Sequence, residues 1–276
     1  MQTISSPHTA PNLQQTAAQP VSDQQRACNY LAAYASTMLG CGASCIRITR
    51  NMGRMAGTLG LAVDLIILPN HVSLTLTDET TGTSTHSSCA IAKLPISYNV
   101  NTRLSRLSWD VAEGRLSLRE SEARFREIAR QSSTVSKPLL VILVALANAS
   151  FCRLFGGDWQ AMVVVGVATV VGYLLKMCML KHKVDLKLMI VTCSFVSSLI
   201  GSLCYVLHWG ATPEIALGTS VLYLIPGIIY INAVSDMLTN HYLCWLSRFM
   251  QALIMTACIA IGLTGGYLLM DIKMFL

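Results

Sequence analysis

Residues 159–183 read WQAMVVVGVATVVGYLLKMCMLKHK. No charge interrupts this stretch before Lys176, and Lys181 and Lys183 close it. A bilayer core of about 30 Å needs roughly 20 helical residues, so 159–179 predicts a membrane-spanning helix. Working outward, the same reading applies to about 138–155, 187–207, 213–234 and 246–270. Pro138 opens the first of these at a favoured first-turn position, and Arg153 with Gly156–Gly157 closes it.

The composition agrees. The 276 residues are 53% hydrophobic and 12% charged, with a mean hydropathy of +0.52, against about 25% charged in soluble domains. That excludes a disordered chain and weighs against a wholly soluble enzyme. Residues 1–137 carry 13 Lys+Arg and 9 Asp+Glu, and residues 138–276 carry 7 and 5. Arginines in 103–130 alternate with Asp110, Glu113, Glu120, Glu122 and Glu127. Mixed signs of this kind mark solvated helix faces, so no nucleic-acid partner is expected. Lys176, Lys181, Lys183 and Lys187 against one Asp185 should stay in the cytoplasm. Five spans then place the amino-terminal half inside.

Residues 1–22, rich in Gln, Ser, Thr and Pro, read as a disordered tail. From Asp23 helical periodicity carries Leu31, Tyr34, Ala35, Met38 and Leu39, and Gly40 and Gly42 stop it. A second helix covers 44–59, with Arg47, Arg50 and Arg54 as a basic stripe. The stripe is open to an anionic ligand, acidic side chains, a partner subunit or lipid head groups. Strands are expected at 63–68, 72–77 and within 83–92, then helices at 101–113 and 118–131. The expectation is an α+β cytoplasmic domain, 23–132, in the order ααβββαα, followed by an all-α membrane domain of about five transmembrane helices, 138–270.

Ten cysteines lie mostly in apolar runs, with no zinc-like spacing. They read as reduced, packed thiols, and neither a metal nor a cofactor is implied. No nucleophile elbow, Walker loop, HExxH or GxGxxG occurs in the amino-terminal half, so no enzyme is expected.

Three features exceed generic spans. Pro226–Gly227 lies inside the fourth segment, where proline removes an N–H and clashes with the preceding turn. It reads either as a packed kink or as the broken helix of a transporter, whose exposed backbone meets solutes. Downstream, Asn232 and Asp236 share a helix face, Arg248 begins the fifth segment, and Gln251 lies one turn deeper. Ionisable groups at membrane depth face an interior or one another. Finally, Ser194, Ser197, Ser198, Gly201 and Ser202 form a small-residue row, as do Ala252, Thr256 and Ala260, suited to helix packing or to another subunit.

The run Ala149-Ser150-Phe151-Cys152-Arg153-Leu154-Phe155-Gly156-Gly157-Asp158-Trp159 resembles a signature of the threonine/serine exporter family. Leu224-Ile225-Pro226-Gly227 through Asn232-Ala233-Val234-Ser235-Asp236 is similar to a second. Gly42-Ala43 with Arg47, Val63-Asp64, Leu104-Ser105 and Val111-Ala112-Glu113-Gly114 agree, so the resemblance covers about 24–270. It implies the stand-alone amino-terminal-half subunit of a bacterial inner-membrane secondary exporter, as in succinate export. Such a subunit works with a smaller membrane partner resembling the family's carboxyl-terminal half. The implied substrate is a small carboxylate, succinate-like or threonine/serine. Asn240-His241 and Gln251 stand where the family often has acids, which favours a dicarboxylate. On this reading Pro226 and Gly227 break the helix lining the path, and Arg153 or Arg248 pairs with a substrate carboxylate. Asn232 hydrogen-bonds substrate, and Asp158 or Asp236 carries a coupling proton or orients the arginine. The alternative is a membrane-anchored regulatory module binding an anion on Arg47, Arg50 and Arg54, without transport of its own.

Overall fold

Alternation along one strand organises the amino-terminal half. Val72, Leu74 and Leu76 are wholly buried, while Ser73, Thr75 and Thr77 point to the other face, as the period of two requires. These residues lie on β2 (His71–Asp78), the middle of an antiparallel meander with β1 (Leu61–Ile67) and β3 (Ser84–Ala90). The register pairs Val63 with Leu76 and Leu74 with Ser87. Against the apolar face lies α1 (Asp23–Gly40), whose Leu31, Tyr34, Ala35 and Met38 are fully buried. Helices α2 (Cys45–Gly57), α3 (Tyr98–Ala112) and α4 (Leu118–Arg130) complete this core. Tyr34 reaches its centre, where its hydroxyl donates to the Leu104 carbonyl at 2.7 Å and accepts from Asn51 Nδ2 at 3.1 Å. The element order is the expected ααβββαα.

This computed structural model describes residues 23–92, 94–130 and 136–270; the tail expected over 1–22 lies outside them. In the second half α5 (Lys137–Leu154), α6 (Trp159–Lys181), α7 (Leu186–Gly201) with its short continuation α8 (Leu203–Val206), and α11 (Tyr242–Leu269) are long and apolar enough to cross a membrane. Between them α9 (Pro213–Thr219), a 3-10 turn at Leu222–Leu224 and α10 (Gly227–Leu238) form a pair bent by 66°. Among the described residues the helices able to span number four, or five with the bent pair counted as one. The fourth segment is therefore broken at Pro226–Gly227, not gently kinked. The Leu222 carbonyl accepts from the Ile225 N–H at 3.1 Å in the tight turn.

Two boundaries differ from the sequence reading. α10 runs to Leu238 and ends in a Schellman motif, with Asn240 in left-handed backbone (φ 64°) and the His241 N–H on the Asp236 carbonyl at 2.8 Å. The chain then re-enters helix at Tyr242, so Arg248 does not begin the last span. It lies six residues inside, about 9 Å along the axis.

The serine row is absorbed by the chain's own packing. Ser194, Ser197, Ser198 and Ser202 are wholly buried, and Ser194 Oγ donates to the Ile259 carbonyl at 2.7 Å. Opposite, a Cβ on Gly262 or Gly266 of α11 would collide with α7. In the second row Ala252 is buried, whereas Thr256 and Ala260 are exposed.

Candidate functional site

The turn between α1 and α2 is where the two halves meet. α1 ends in a second Schellman motif, with Gly42 at φ 86° and the Ala43 N–H on the Met38 carbonyl at 3.0 Å. A side chain is disfavoured at that φ, which explains the glycine. The motif leaves the carbonyls of Gly42 and Ala43 facing the membrane helices. Asn232 Nδ2 donates to the Gly42 oxygen at 2.8 Å, and Arg248 Nη2 donates to the Ala43 oxygen at 2.8 Å.

Asp236 joins the same turn. Its Oδ1 accepts the Cys45 N–H at 2.9 Å, and its Oδ2 pairs with Arg248 Nη1 at 2.6 Å. Ser44, at the capping position of α2, makes no side-chain cap bond. The membrane-half carboxylate caps α2 in its place, where the positive end of the helix favours an anion. Asp236 is completely buried, and the Arg248 side chain is 16% exposed. Beside them the Cys45 thiol is pushed up, first by its hydrogen bond to Cys244, then by burial and the Asp236 carboxylate. It stays protonated and inert.

A cavity of about 250 Å³ opens next to the pair, lined in part by Gly40, Leu68, Ile91, Ser247, Arg248 and Gln251. One cationic fork, one amide and one hydroxyl in its wall suit a small carboxylate. Three of the residues chosen from sequence, Asn232, Asp236 and Arg248, thus converge on one loop.

Arg153 and Asp158 lie at the other end of the broken helix. Asp158 caps α6 by accepting the Ala161 N–H at 2.7 Å and takes the Ala211 N–H at 2.5 Å, just before α9. Its carboxyl is held below the usual range, chiefly by the Ala161 N–H and next by that of Ala211. An acid so held keeps its charge at neutral pH. Arg153 is exposed and donates to the Gly157 carbonyl at 3.1 Å. Trp159 and Trp209 meet edge to face nearby, centroids 5.8 Å apart.

Between the ends, Asn148 and Tyr223 escaped the sequence reading, and Lys176 entered it only as part of the basic connection. Asn148 is buried, donates to Thr169 Oγ1 at 2.6 Å and to the Thr219 carbonyl at 3.2 Å, and leaves Oδ1 without a partner among the described residues. Tyr223, on the turn before the break, shares a 3.0 Å hydrogen bond with Ser197. Lys176 lies 5.7 Å from the Tyr173 ring centroid and has no ion pair among the described residues. A lone amide in an apolar run was the available signal for Asn148. Lys176 is masked in sequence by the lysines that follow it. Among the described residues no cluster of His, Cys, Asp and Glu is arranged to hold a metal ion.

The sequence model of the family described as "Putative threonine/serine exporter" (ThrE) matches residues 29–270. The chain is 29% identical over 240 residues to "Probable succinate transporter subunit YjjP" of Klebsiella aerogenes, covering 86% of this chain and 90% of that protein. The protein of the same name from Escherichia coli K12 is 30% identical over 142 residues, 51% of this chain and 55% of that protein. No solved structure matches the chain significantly.

Proposed function

Because the chain belongs to the threonine/serine exporter family, we propose that it is the larger subunit of a two-component secondary exporter for a succinate-like dicarboxylate in a bacterial inner membrane. Family membership makes it a multi-pass membrane transport protein and not an enzyme. The relatives' printed name supports the substrate class and, through the word subunit, a partner. The departures at Asn240-His241 and Gln251 favour a dicarboxylate over an amino acid. The basic connection between α6 and α7 supports a cytoplasmic position for residues 23–132.

The observation that carries the mechanism is the buried Asp236–Arg248 pair, at the end of α10 away from the break and beside the cavity of Ser247 and Gln251. An arriving carboxylate competes with Asp236 for the guanidinium, which holds planar anions through two donors. Asp236, once displaced, is a buried carboxylate without its cation, which is costly. Displacement also removes the cap from α2, so substrate loading is felt by the amino-terminal half. Asn232, whose Nδ2 reaches the Gly42 oxygen of the same turn, donates to the substrate carboxylate through that amide. Pro226 and Gly227 provide the break, and Arg153 with Asp158 holds the opposite mouth.

Vesicles containing this chain and its smaller partner test the reading through efflux of labelled succinate. Asp236→Asn and Arg248→Lys should each lower flux roughly tenfold or more, a factor that 1.4 kcal/mol supplies, while both proteins remain folded. Wild-type flux in both variants overturns the assignment.

A further inference from the structure

The arginines of α2 differ from those of α4 and of the turn before it in having no acid beside them among the described residues. Arg115, in the turn between α3 and α4, pairs with Asp110 and Glu113, and on α4 Arg119 pairs with Asp23, Arg124 with Glu127 and Arg126 with Glu122. Arg103 and Arg106 of α3 share a hollow with Asp110. Arg26 on α1 also reaches Glu122. Among the described residues Arg47, Arg50 and Arg54 have no ion pair, although their spacing places them on one helix face, where like charges repel.

They line a groove of about 410 Å³ between α2 and α3, completed by Asn51, Ser105 and Trp109 with no carboxylate in its wall. Arg54 is already set: Nη1 donates to Asn51 Oδ1 at 2.9 Å and Ser108 Oγ at 3.1 Å, and the guanidinium lies 4.0 Å from the Trp109 ring centroid. Stacking on the indole holds the fork flat. It leaves Nε and Nη2 without acceptors among the described residues. Ser105 Oγ accepts from Asn51 Nδ2 at 3.2 Å, so its own proton is free to be donated outward.

We propose that this groove binds a small dianion, a carboxylate or phosphate compound held by Arg47, Arg50 and Arg54 against the edge of Trp109. Three positive forks with hydroxyl donors and no competing acid form a receptor for planar oxyanions, and the volume is that of a small-molecule site. The site is separate from the Asp236–Arg248 pair and holds whether or not that pair moves substrate. The two are joined by α2 itself, since Arg47 follows by two residues the Cys45 whose N–H meets Asp236. The same oxyanion chemistry is offered by a free metabolite and by a lipid head group.

The full chain in neutral detergent, titrated calorimetrically with inorganic pyrophosphate and with succinate, tests the free source. Saturable binding is expected, weakened by roughly tenfold or more in Arg47→Gln/Arg50→Gln, restored in part by Arg47→Lys/Arg50→Lys, and untouched by Arg119→Gln. The lipid source is tested in nanodiscs, by the extra tryptophan quenching that brominated phosphatidylglycerol gives over brominated phosphatidylcholine. Loss of that excess in the double Gln variant assigns the site to a head group. Arg50→Gln alone, at an exposed position, serves where the double variant does not fold. The proposal is overturned by neither probe binding and no excess quenching, or by signals that survive the Gln variants.

Discussion

The two ends of the broken helix use the same residue types for different ends. At one, Asp236 and Arg248 are buried against each other and against the α1–α2 turn. At the other, Asp158 takes backbone N–H groups while Arg153 stays exposed on the Gly157 carbonyl. Both aspartates cap a helix, but only Asp236 does so for a helix far away in sequence and with a cation attached. A charge whose partner is another buried charge can be exchanged for a ligand's charge. A charge satisfied by fixed backbone dipoles is an anchor.

Removing each acid should expose that contrast. Asp236→Ala leaves Arg248 buried without its counter-ion, so the loss of stability should be about 3–5 kcal/mol, read as a fall in melting temperature in detergent or as failure to fold. A loss no greater than that at Asp158 would erase the distinction between the ends. Asp158→Ala removes a cap and should cost about 1 kcal/mol. Because the Asp158 carboxyl titrates below its unfolded value when folded, its contribution is complete above the unfolded value of about 4 and is lost as pH falls through the depressed one. Melting curves of wild type and Asp158→Ala should therefore converge in acid; curves that stay parallel would mean the carboxylate is not the cap. Arg153→Gln, at an exposed site, should change stability by less than about 0.5 kcal/mol. A larger loss would show the outer arginine to be structural.

Much of the architecture was legible because it depends on local periodicity. The apolar runs, the ααβββαα order and an interruption at Pro226–Gly227 follow from side-chain spacing and from proline's missing N–H, while the 66° break, as against a packed kink, came from the structure. The pairing of Asp236 with Arg248 was legible too, since membrane-depth charges seek each other. Missed were Asn148 and Tyr223, each a single polar residue whose significance lies in what faces it from another helix, and the place of Lys176 beside Tyr173 of its own helix. The serine row could be read as packing or as docking until the glycines of α11 were found against it.

The sequence by itself determined which segments are helix, strand or span, because those choices are made by neighbours a few residues apart. Only the tertiary structure decided that Asn232, Asp236 and Arg248 close on the turn at Gly42–Cys45, some 190 residues away in the chain for Asn232 and Asp236, and that the α2 arginines are left without acids among the described residues. A hydrogen bond or ion pair depends on distance and burial, and a residue's type and position in the chain specify neither.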